Sequence, residues 1–547
     1  MIRRTMIRRT LQSSLALAVL IGGLAAPATA QMPQTSFEMN GGTEYTPHLE
    51  MWDYLQDVAS QTTVMYLDTY GETFQGRQLP YMVFSEPRVS TPQEAWSLDR
   101  PILFFNANVH GGERTLRESL LVLARELATE GTEANALLEE VVIVMAPQIN
   151  PDGFEAEPRS TRGNSWGIDM NRDWVKREQA SLKNYGLLIN DWAPHLLVDG
   201  HNGGSFPYHI TYQCTSHPGA DEALTDWCDF GIFPAIDERV EAAGYKSWYY
   251  SGGNETEWRG GGSQVRIGRN YNGLVNTVGI LFESPGWQDD QAAAADAGKL
   301  AYLDVMEHSA ENAEELKGLI RRTRVETIEA GMRAEGQVPV LVENSDYEPQ
   351  DRTVTYEILD PEYEGDRGDA DPFEDVITVT SDRFLTKAVV RGYRDLPYAY
   401  ILPRQAIDAV AMLQRNGITV ERLTRPATLN VEAYEITGVD FEQQYDHAAT
   451  TNLTLGEEPL VMDEEYPAGT YIVRTGQMRG RLVAHMLEPE TQDNVITWNT
   501  MDAWIPFGEV LGDEEGPQGG FSGNQGPPLA PIHKLMTPTP LPLRIVQ

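Results

Sequence analysis

Three short runs of almost uninterrupted apolar residues constrain this chain more than any other feature: PILFFNANV at 101–109, VVIVMAPQIN at 141–150 and TVGILFES at 277–284. A strand can dispense with polar alternation only where both of its faces are covered, as inside a parallel sheet flanked by helices. Helix-period segments lie between the runs, RTLRESLLVLARELA at 114–128 and KREQASLKNYGLLINDW at 176–192, with a longer helical stretch at 291–322. HLLVDG adds another buried strand, and TVMYLDTYG with RQLPYMVFS predicts an early pair of strands joined through ETFQG. The alternation predicts an α/β fold with a mixed, largely parallel central sheet flanked by helices. Functional groups in such a sheet gather at the carboxyl ends of strands, where a crevice forms.

At 547 residues the chain exceeds one ordinary domain, and its texture changes near residue 335. Residues 31–335 carry the α/β pattern, and 336–547 read as a smaller C-terminal α+β, β-rich accessory domain. The acidic, turn-rich stretch 343–375 reads as a surface connection or an exposed edge. YAYILP, RQAIDAVAMLQRNG and ITVERLTRP predict a small βαβ-like piece, AYEITGVDFE and GTYIVRT short strands, and the Gly- and Pro-rich end a loop. His447, His485 and His533 in this half read as structural or surface groups; His485 stands three before Glu488 in HMLE, but no strand-end histidine follows.

The N-terminus reads as an address. MIRRTMIRRT is basic, LALAVLIGGLAA is apolar and ATA precedes Gln31, the order of a secretory signal peptide over 1–30 cut after Ala30. That predicts a periplasmic or extracellular protein. No later apolar run reaches the ~18 residues a membrane span needs, so no transmembrane segment is expected in the mature chain. The net charge of −39 argues against nucleic acid or anionic lipid as partners, since both reward clustered Lys and Arg. In an oxidising compartment Cys214 and Cys228 either close a loop worth ~3 kcal/mol or stand as two buried thiols.

Where PILFFNANV ends, the chain reads His110-Gly111-Gly112-Glu113 and then turns helical. Residues three apart on a first helical turn lie on one side and can share an ion. Imidazole plus carboxylate suits Zn²⁺, whose catalytic sites take three protein ligands and leave a position open. VDGHNGG puts His201 just beyond another apolar strand, so the same sheet edge can supply the third ligand. GILFESPG holds Glu283 at the end of a further apolar strand, where a carboxylate is costly to bury without a cation or a catalytic task. NPDGFE and TRGNSWGIDMNRDW bring Arg162, Asn171 and Arg172 into the same region, a mixture of positive charge and amide donors suited to a carboxylate ligand.

In this order, HxxE, NPDG, R…D-x-N-R, D-x-H and a strand ending in F-E, the sequence resembles the carboxypeptidase A-like zinc carboxypeptidases over about 45–325. The resemblance implies an exported zinc metallocarboxypeptidase that hydrolyses C-terminal residues from peptides, with one Zn²⁺ held by His110, Glu113 and His201. It implies Glu283 as general base, Arg162 at the scissile carbonyl, and Asn171 with Arg172 on the substrate's terminal carboxylate. Asp169 would orient His110 through its other ring nitrogen. Arg159 competes with Arg162, and spacing to Asn171 favours Arg162; His209 competes with His201, and the D-x-H context favours His201; His195 reads as structural. The family's substrate-capping tyrosine maps to Tyr249, Tyr250 or Tyr271, and Tyr250 is taken as the substrate-binding candidate. The residue selecting the C-terminal side chain falls in RGGGSQVRIGRN, where Arg266 or Arg269 would favour acidic substrates. Rival readings are a cell-wall stem-peptide carboxypeptidase or amidase, an N-acyl amino acid deacylase, and a binding protein on a degenerate scaffold. The last would lack a ligand or the base, and none is missing.

Overall fold

The computed structural model describes residues 32–287, 290–444, 446–505 and 528–546, with the side chains at 344–346 excepted. The proposed signal segment 1–30 lies outside the described residues. The chain forms β1 (Met65–Glu72), β2 (Gln78–Phe84), β3 (Ile102–Ala107), β4 (Val142–Ala146), β5 (Leu196–Gly204), β6 (Ile210–Cys214), β7 (Ser247–Tyr249), β8 (Ser251–Gly253), β9 (Trp258–Gly260) and β10 (Val278–Pro285). Eight of these make the central sheet, in the order β1-β2-β4-β3-β5-β10-β6-β7. The middle of the sheet, β4-β3-β5-β10, is parallel throughout. The flanks are antiparallel where β1, β2 and β6 join.

Ring contacts explain why the apolar runs do not alternate. Phe104 meets Tyr185 of the helix Ala180–Trp192 at 5.7 Å, while its neighbour Phe105 meets Tyr302 of the helix Gln291–Glu311 at 5.2 Å. Successive side chains point to opposite faces of a strand, so each face of β3 is covered by a different helix. Both phenylalanines are wholly buried, worth roughly 1.5–3 kcal/mol each. The predicted helical stretch from 291 is two helices, Gln291–Glu311 and Ala313–Arg333. Among the described residues no helix is long and apolar enough to cross a membrane.

Past Arg333 the chain adds β11 (Gln337–Pro349), β12 (Val354–Leu359), β13 (Val376–Ser381) and β14 (Phe384–Asp395). The acidic stretch is therefore only partly a connection: it begins inside β11 and includes β12, which pairs with β13. Burial alternates along β12, inward at Val354, Tyr356 and Ile358, so its one charged residue, Glu357, occupies the other face. β11 and β14 continue into β9 and β8 as one four-stranded sheet. Segments before and after residue 335 thus share a ladder. They also share a core: Trp174 and Tyr271 lie in the same buried cluster as Val338, Tyr400, Leu413 and Trp498.

A seven-stranded sheet builds the rest of this half. Its strands Ala399–Leu402 and Glu421–Leu423 flank the helix Ile407–Arg415 in sequence, but Tyr471–Arg474 lies between them, antiparallel to both. The predicted terminal loop contains two strands of this sheet, His533–Leu535 and Leu543–Ile545, and residues 506–527 lie outside the described residues. Cys214 and Cys228 are bridged, tying the end of β6 to the helical segment that follows it.

Candidate metal centre and active site

The turn after β3 is shaped by Asn108, which takes a left-handed φ of 58°. Its side-chain amide donates to the carbonyls of His110, Gly111 and Glu113 at 3.0, 3.2 and 2.9 Å. Gly111 is required by crowding: a Cβ there would stand 2.2 Å from the Gly153 carbonyl carbon. That neighbour belongs to the NPDG turn, whose Asn150 accepts from Gly153 N and donates to the carbonyls of Val109 and Arg162. The glycine in HGGE and the NPDG turn are two sides of one close backbone contact, and together they aim His110 and Glu113.

The third side chain arrives by register. In the parallel ladder β5–β10, His201 is paired with Glu283, and one strand further Asp199 is paired with Asn106 of β3. His110 Nδ1 and His201 Nδ1 approach to 3.1 Å, and each lies 2.8 Å from a Glu113 carboxylate oxygen. The other nitrogen of each ring is occupied: His110 Nε2 meets Asp169 Oδ1 at 2.9 Å and His201 Nε2 meets Asp199 Oδ2 at 3.0 Å. With both Nε2 protons donated to carboxylates, both Nδ1 lone pairs converge with the Glu113 oxygens, so three donors face one point. Such an arrangement calls for a metal ion or protons between the donors. Tetrahedral zinc ligands at 2.0–2.1 Å stand ~3.3 Å apart, close to these spacings, so the donor set fits Zn²⁺. Among the described residues these three form the one His/Cys/Asp/Glu group compact enough to hold a metal.

Electrostatics follow the same geometry. Burial opposes charge on His110, but Glu113 and Asp169 outweigh it and raise its proton affinity. His201 is driven well above the usual histidine range, burial being overcome by Asp199 and Glu113. Burial likewise opposes the Glu113 and Asp169 carboxylates, and the facing imidazoles hold both well below the usual range.

Glu283 differs. Burial pushes it up to about 8, and Glu113 adds to the effect while His201 and His110 oppose it. Gly203 leaves room for it, since a Cβ there would lie 3.0 Å from Glu283 Oε2.

Arg162 bridges the two acids, its Nη1 3.0 Å from Glu113 and its Nε 2.9 Å from Asp169, with half of its side chain exposed. Asn171 is buried, its amide oxygen accepting from Trp174 Nε1 and Gly268 N. Arg172 donates to the Asn171 carbonyl at 3.0 Å. Of the three tyrosines, Tyr271 is wholly buried and donates to Asn416, and Tyr249 is buried against Arg352. Tyr250 instead lies in the field of Glu283 and Glu113, and Glu283 first, then burial, lifts its phenol up to about 12.

The competing residues sit elsewhere. His195 accepts from Ile102 N, His209 accepts from Lys246 N among aromatic rings, and Arg159 is exposed. His485, the HMLE decoy, is buried 5.1 Å from the His217 ring, while Glu488 pairs with Lys534.

Two functional neighbours were not singled out from sequence. Asp199 had a signal, since D-x-H in a strand puts both side chains on one face. Asp446 had none: its carboxylate accepts from Asp169 N at 2.8 Å across 277 residues.

A mixed α/β sheet thus carries, at the carboxyl edge of its parallel strands, a His–Glu–His group able to hold a metal ion. The zinc carboxypeptidase family model matches residues 51–190. Over that segment the chain is similar to zinc carboxypeptidases, which are peptide hydrolases. It is similar to carboxypeptidase 2 of Trichophyton tonsurans, 25% identical over 456 residues covering 78% of each chain. Carboxypeptidase 2 of Trichophyton rubrum is 25% identical over 482 residues, covering 82% of this chain and 83% of that one. A metallo-carboxypeptidase structure from Burkholderia cenocepacia superposes with a TM-score of 0.39 and 18% identity, over 49% of this chain and 69% of that one. The family match ends before His201 and Glu283, whose relation to the cluster rests on the β5–β10 register.

Proposed function

We propose that this is an exported carboxypeptidase in which His110, Glu113 and His201 hold the zinc and Glu283 is the general base. The observation that carries the reading is the pairing of Glu283 with His201 across one ladder, which sets a buried, high-affinity carboxylate beside three converging donors. Zinc held there supplies Lewis-acid polarisation of the scissile carbonyl and of the attacking water. Glu283 takes the proton from that water and returns it to the departing amine, and a carboxylate whose affinity is raised by burial suits both transfers. Arg162, half exposed beside Glu113, donates to the oxygen on which negative charge develops. Asn171 and Arg172 hold the substrate's terminal carboxylate, which restricts cleavage to the last residue. Tyr250 closes over that residue from the Glu283 side. Asp169 and Asp199 fix the two imidazoles with Nδ1 toward the ion. The basic, apolar, small-residue leader supports export. No feature of the site favours a cell-wall stem peptide or an N-acyl amino acid over an ordinary peptide end.

Two variants test the assignment. Glu283→Gln is expected to retain stoichiometric zinc and lose nearly all release of C-terminal residues, while His110→Ala is expected to lose the metal. An active, zinc-loaded Glu283→Gln protein refutes the base, and full zinc content in His110→Ala refutes the ligand set.

A further inference from the structure

Resting on the carboxypeptidase reading above, we propose that Arg352, from the C-terminal half, is a positioning residue that fixes Tyr250 against the last residue of the substrate. Tyr250 joins β7 to β8, and its N–H donates to the Tyr212 carbonyl of β6 at 2.8 Å. The residue before Tyr212, Thr211, is paired with Glu283 across the β6–β10 ladder, so the Tyr250 segment runs beside the Glu283 strand end. β7 and β8 are three residues each, and both stand at the edges of their sheets. Strands so short and so placed need support from outside their own ladders.

Arg352 supplies it. It lies between β11 and β12, and its Nη2 donates to Tyr249 OH at 2.9 Å and to Asp229 Oδ2 at 3.2 Å. One guanidinium thus joins the residue before Tyr250 to the residue after Cys228, in the helical segment that the disulfide ties to β6. The same cation lies over the rings of Phe384, at 4.6 Å, and Tyr249, at 5.2 Å. Those two rings meet edge-on at 4.8 Å, and Phe384 opens β14, where it pairs with Trp258 of β9. Past Tyr250, Tyr356 of β12 donates to the Asn254 carbonyl at 2.7 Å and packs against Trp258. Residues 249–258 are therefore gripped on both sides of Tyr250 by β12, β14 and the turn before β12, none of which belongs to the central sheet. The ring itself packs on Gly261, where a Cβ would stand 2.6 Å from it. Gly261 is held by Gln213, whose Oε1 accepts from its N–H at 2.8 Å.

A misplacement of ~1 Å at a group that orients substrate can cost up to about 100-fold, so a hold on the neighbouring residue matters to turnover. A brace that only stabilises the fold acts alike whether or not Tyr250 is present. A positioning residue acts through Tyr250, and its effect vanishes with that ring.

The test is a double-mutant cycle on the zinc-loaded full chain, with zinc content measured in every variant. The substrates are peptides identical except for a final Phe, Leu, Lys or Glu, read on the one shortened fastest. Arg352→Met is expected to lower kcat/KM about tenfold, mainly through KM, because a contact to bound substrate is displaced while the proton-transfer groups stay in place. In the Tyr250→Ala background the same replacement is expected to change kcat/KM by less than about twofold. Arg352→Lys, which keeps a cationic donor, is expected to recover part of the loss. Tyr249→Phe removes the hydroxyl that Arg352 donates to and keeps the ring, and it gives the same two readouts should Arg352→Met fail to fold. Equal losses in both backgrounds overturn the proposal, since the brace then acts without Tyr250. So does an Arg352→Met protein with wild-type kcat/KM. Unaltered activity in Tyr250→Ala refutes the role of that tyrosine, and this proposal with it, while leaving the zinc reading intact. Failure of the carboxypeptidase reading is separate, because then the wild type shortens none of the peptides.

Discussion

The Asp199→Asn substitution probes the metal centre through a chain of hydrogen bonds whose directions are fixed. Tyr185 OH donates to Asn106 Oδ1 at 2.6 Å, which turns the Asn106 amide nitrogen toward Asp199 Oδ1 at 2.5 Å. Asp199 Oδ2 then accepts from His201 Nε2 at 3.0 Å, leaving Nδ1 bare toward Glu113 and His110. An amide at 199 must meet the Asn106 donor with its oxygen and present NH₂ to His201. Without metal the network is still satisfied, because the ring carries its proton on Nδ1 and donates it to Glu113. With zinc, Nδ1 must be bare, and the proton on Nε2 then faces another donor in a buried place.

The cost falls on the zinc-bound state alone. A buried unsatisfied donor costs ~1–3 kcal/mol, roughly 5- to 150-fold in zinc affinity, and loss of a partner behind a ligand histidine is typically worth about 10- to 100-fold. The assay is titration of the metal-free protein with zinc against a competing chelator, with metal-free thermal unfolding as the control. Weakening by at least about tenfold with little change in metal-free stability is expected. A zinc dissociation constant within about twofold of wild type, a difference well under 1 kcal/mol, refutes the tautomer argument.

Two further outcomes are expected. Asp446→Ala removes a charge-assisted hydrogen bond to Asp169 N, worth about 1.5–3 kcal/mol, so unfolding should shift down and zinc affinity fall severalfold while Asp446→Asn recovers most of both; identical zinc affinity in Asp446→Ala means the C-terminal half does not position the site. His485 is held down to about 3 by burial, against ~6.5 when unfolded. Its contribution is complete above the unfolded value and is lost as pH falls toward the folded one, at up to about 1.4 kcal/mol per pH unit. His485→Gln should flatten the stability decline measured by urea unfolding between pH 6 and 5, and a variant with the wild-type slope rules out this source of acid lability.

The sequence alone carried the sheet and most of the candidate centre. Long apolar runs can only be strands covered on both faces, and His110, Glu113, His201 and Glu283 stand where such runs stop. Their convergence was legible because all three strands belong to one sheet whose carboxyl ends share an edge. Local patterning could not reveal that β8 and β9 join β14, that Tyr471–Arg474 separates two strands flanking one helix in sequence, or that the chain end supplies two strands. Those pairings depend on which edges remain open once the core closes, a property of the whole chain.

The tertiary structure likewise sets the three tyrosines in different surroundings, enclosing Tyr249 and Tyr271 in packing and leaving Tyr250 in the field of Glu283. It brought Asp446 against Asp169 across 277 residues, and it paired Arg266 with Asp493 across 227. Residue type and spacing set which chemistry the edge of the sheet can support. Only the folded arrangement of distant segments sets which charges are neutralised, which ring nitrogen carries the proton and which side of the site stays open, because electrostatic and steric terms act through space rather than along the chain.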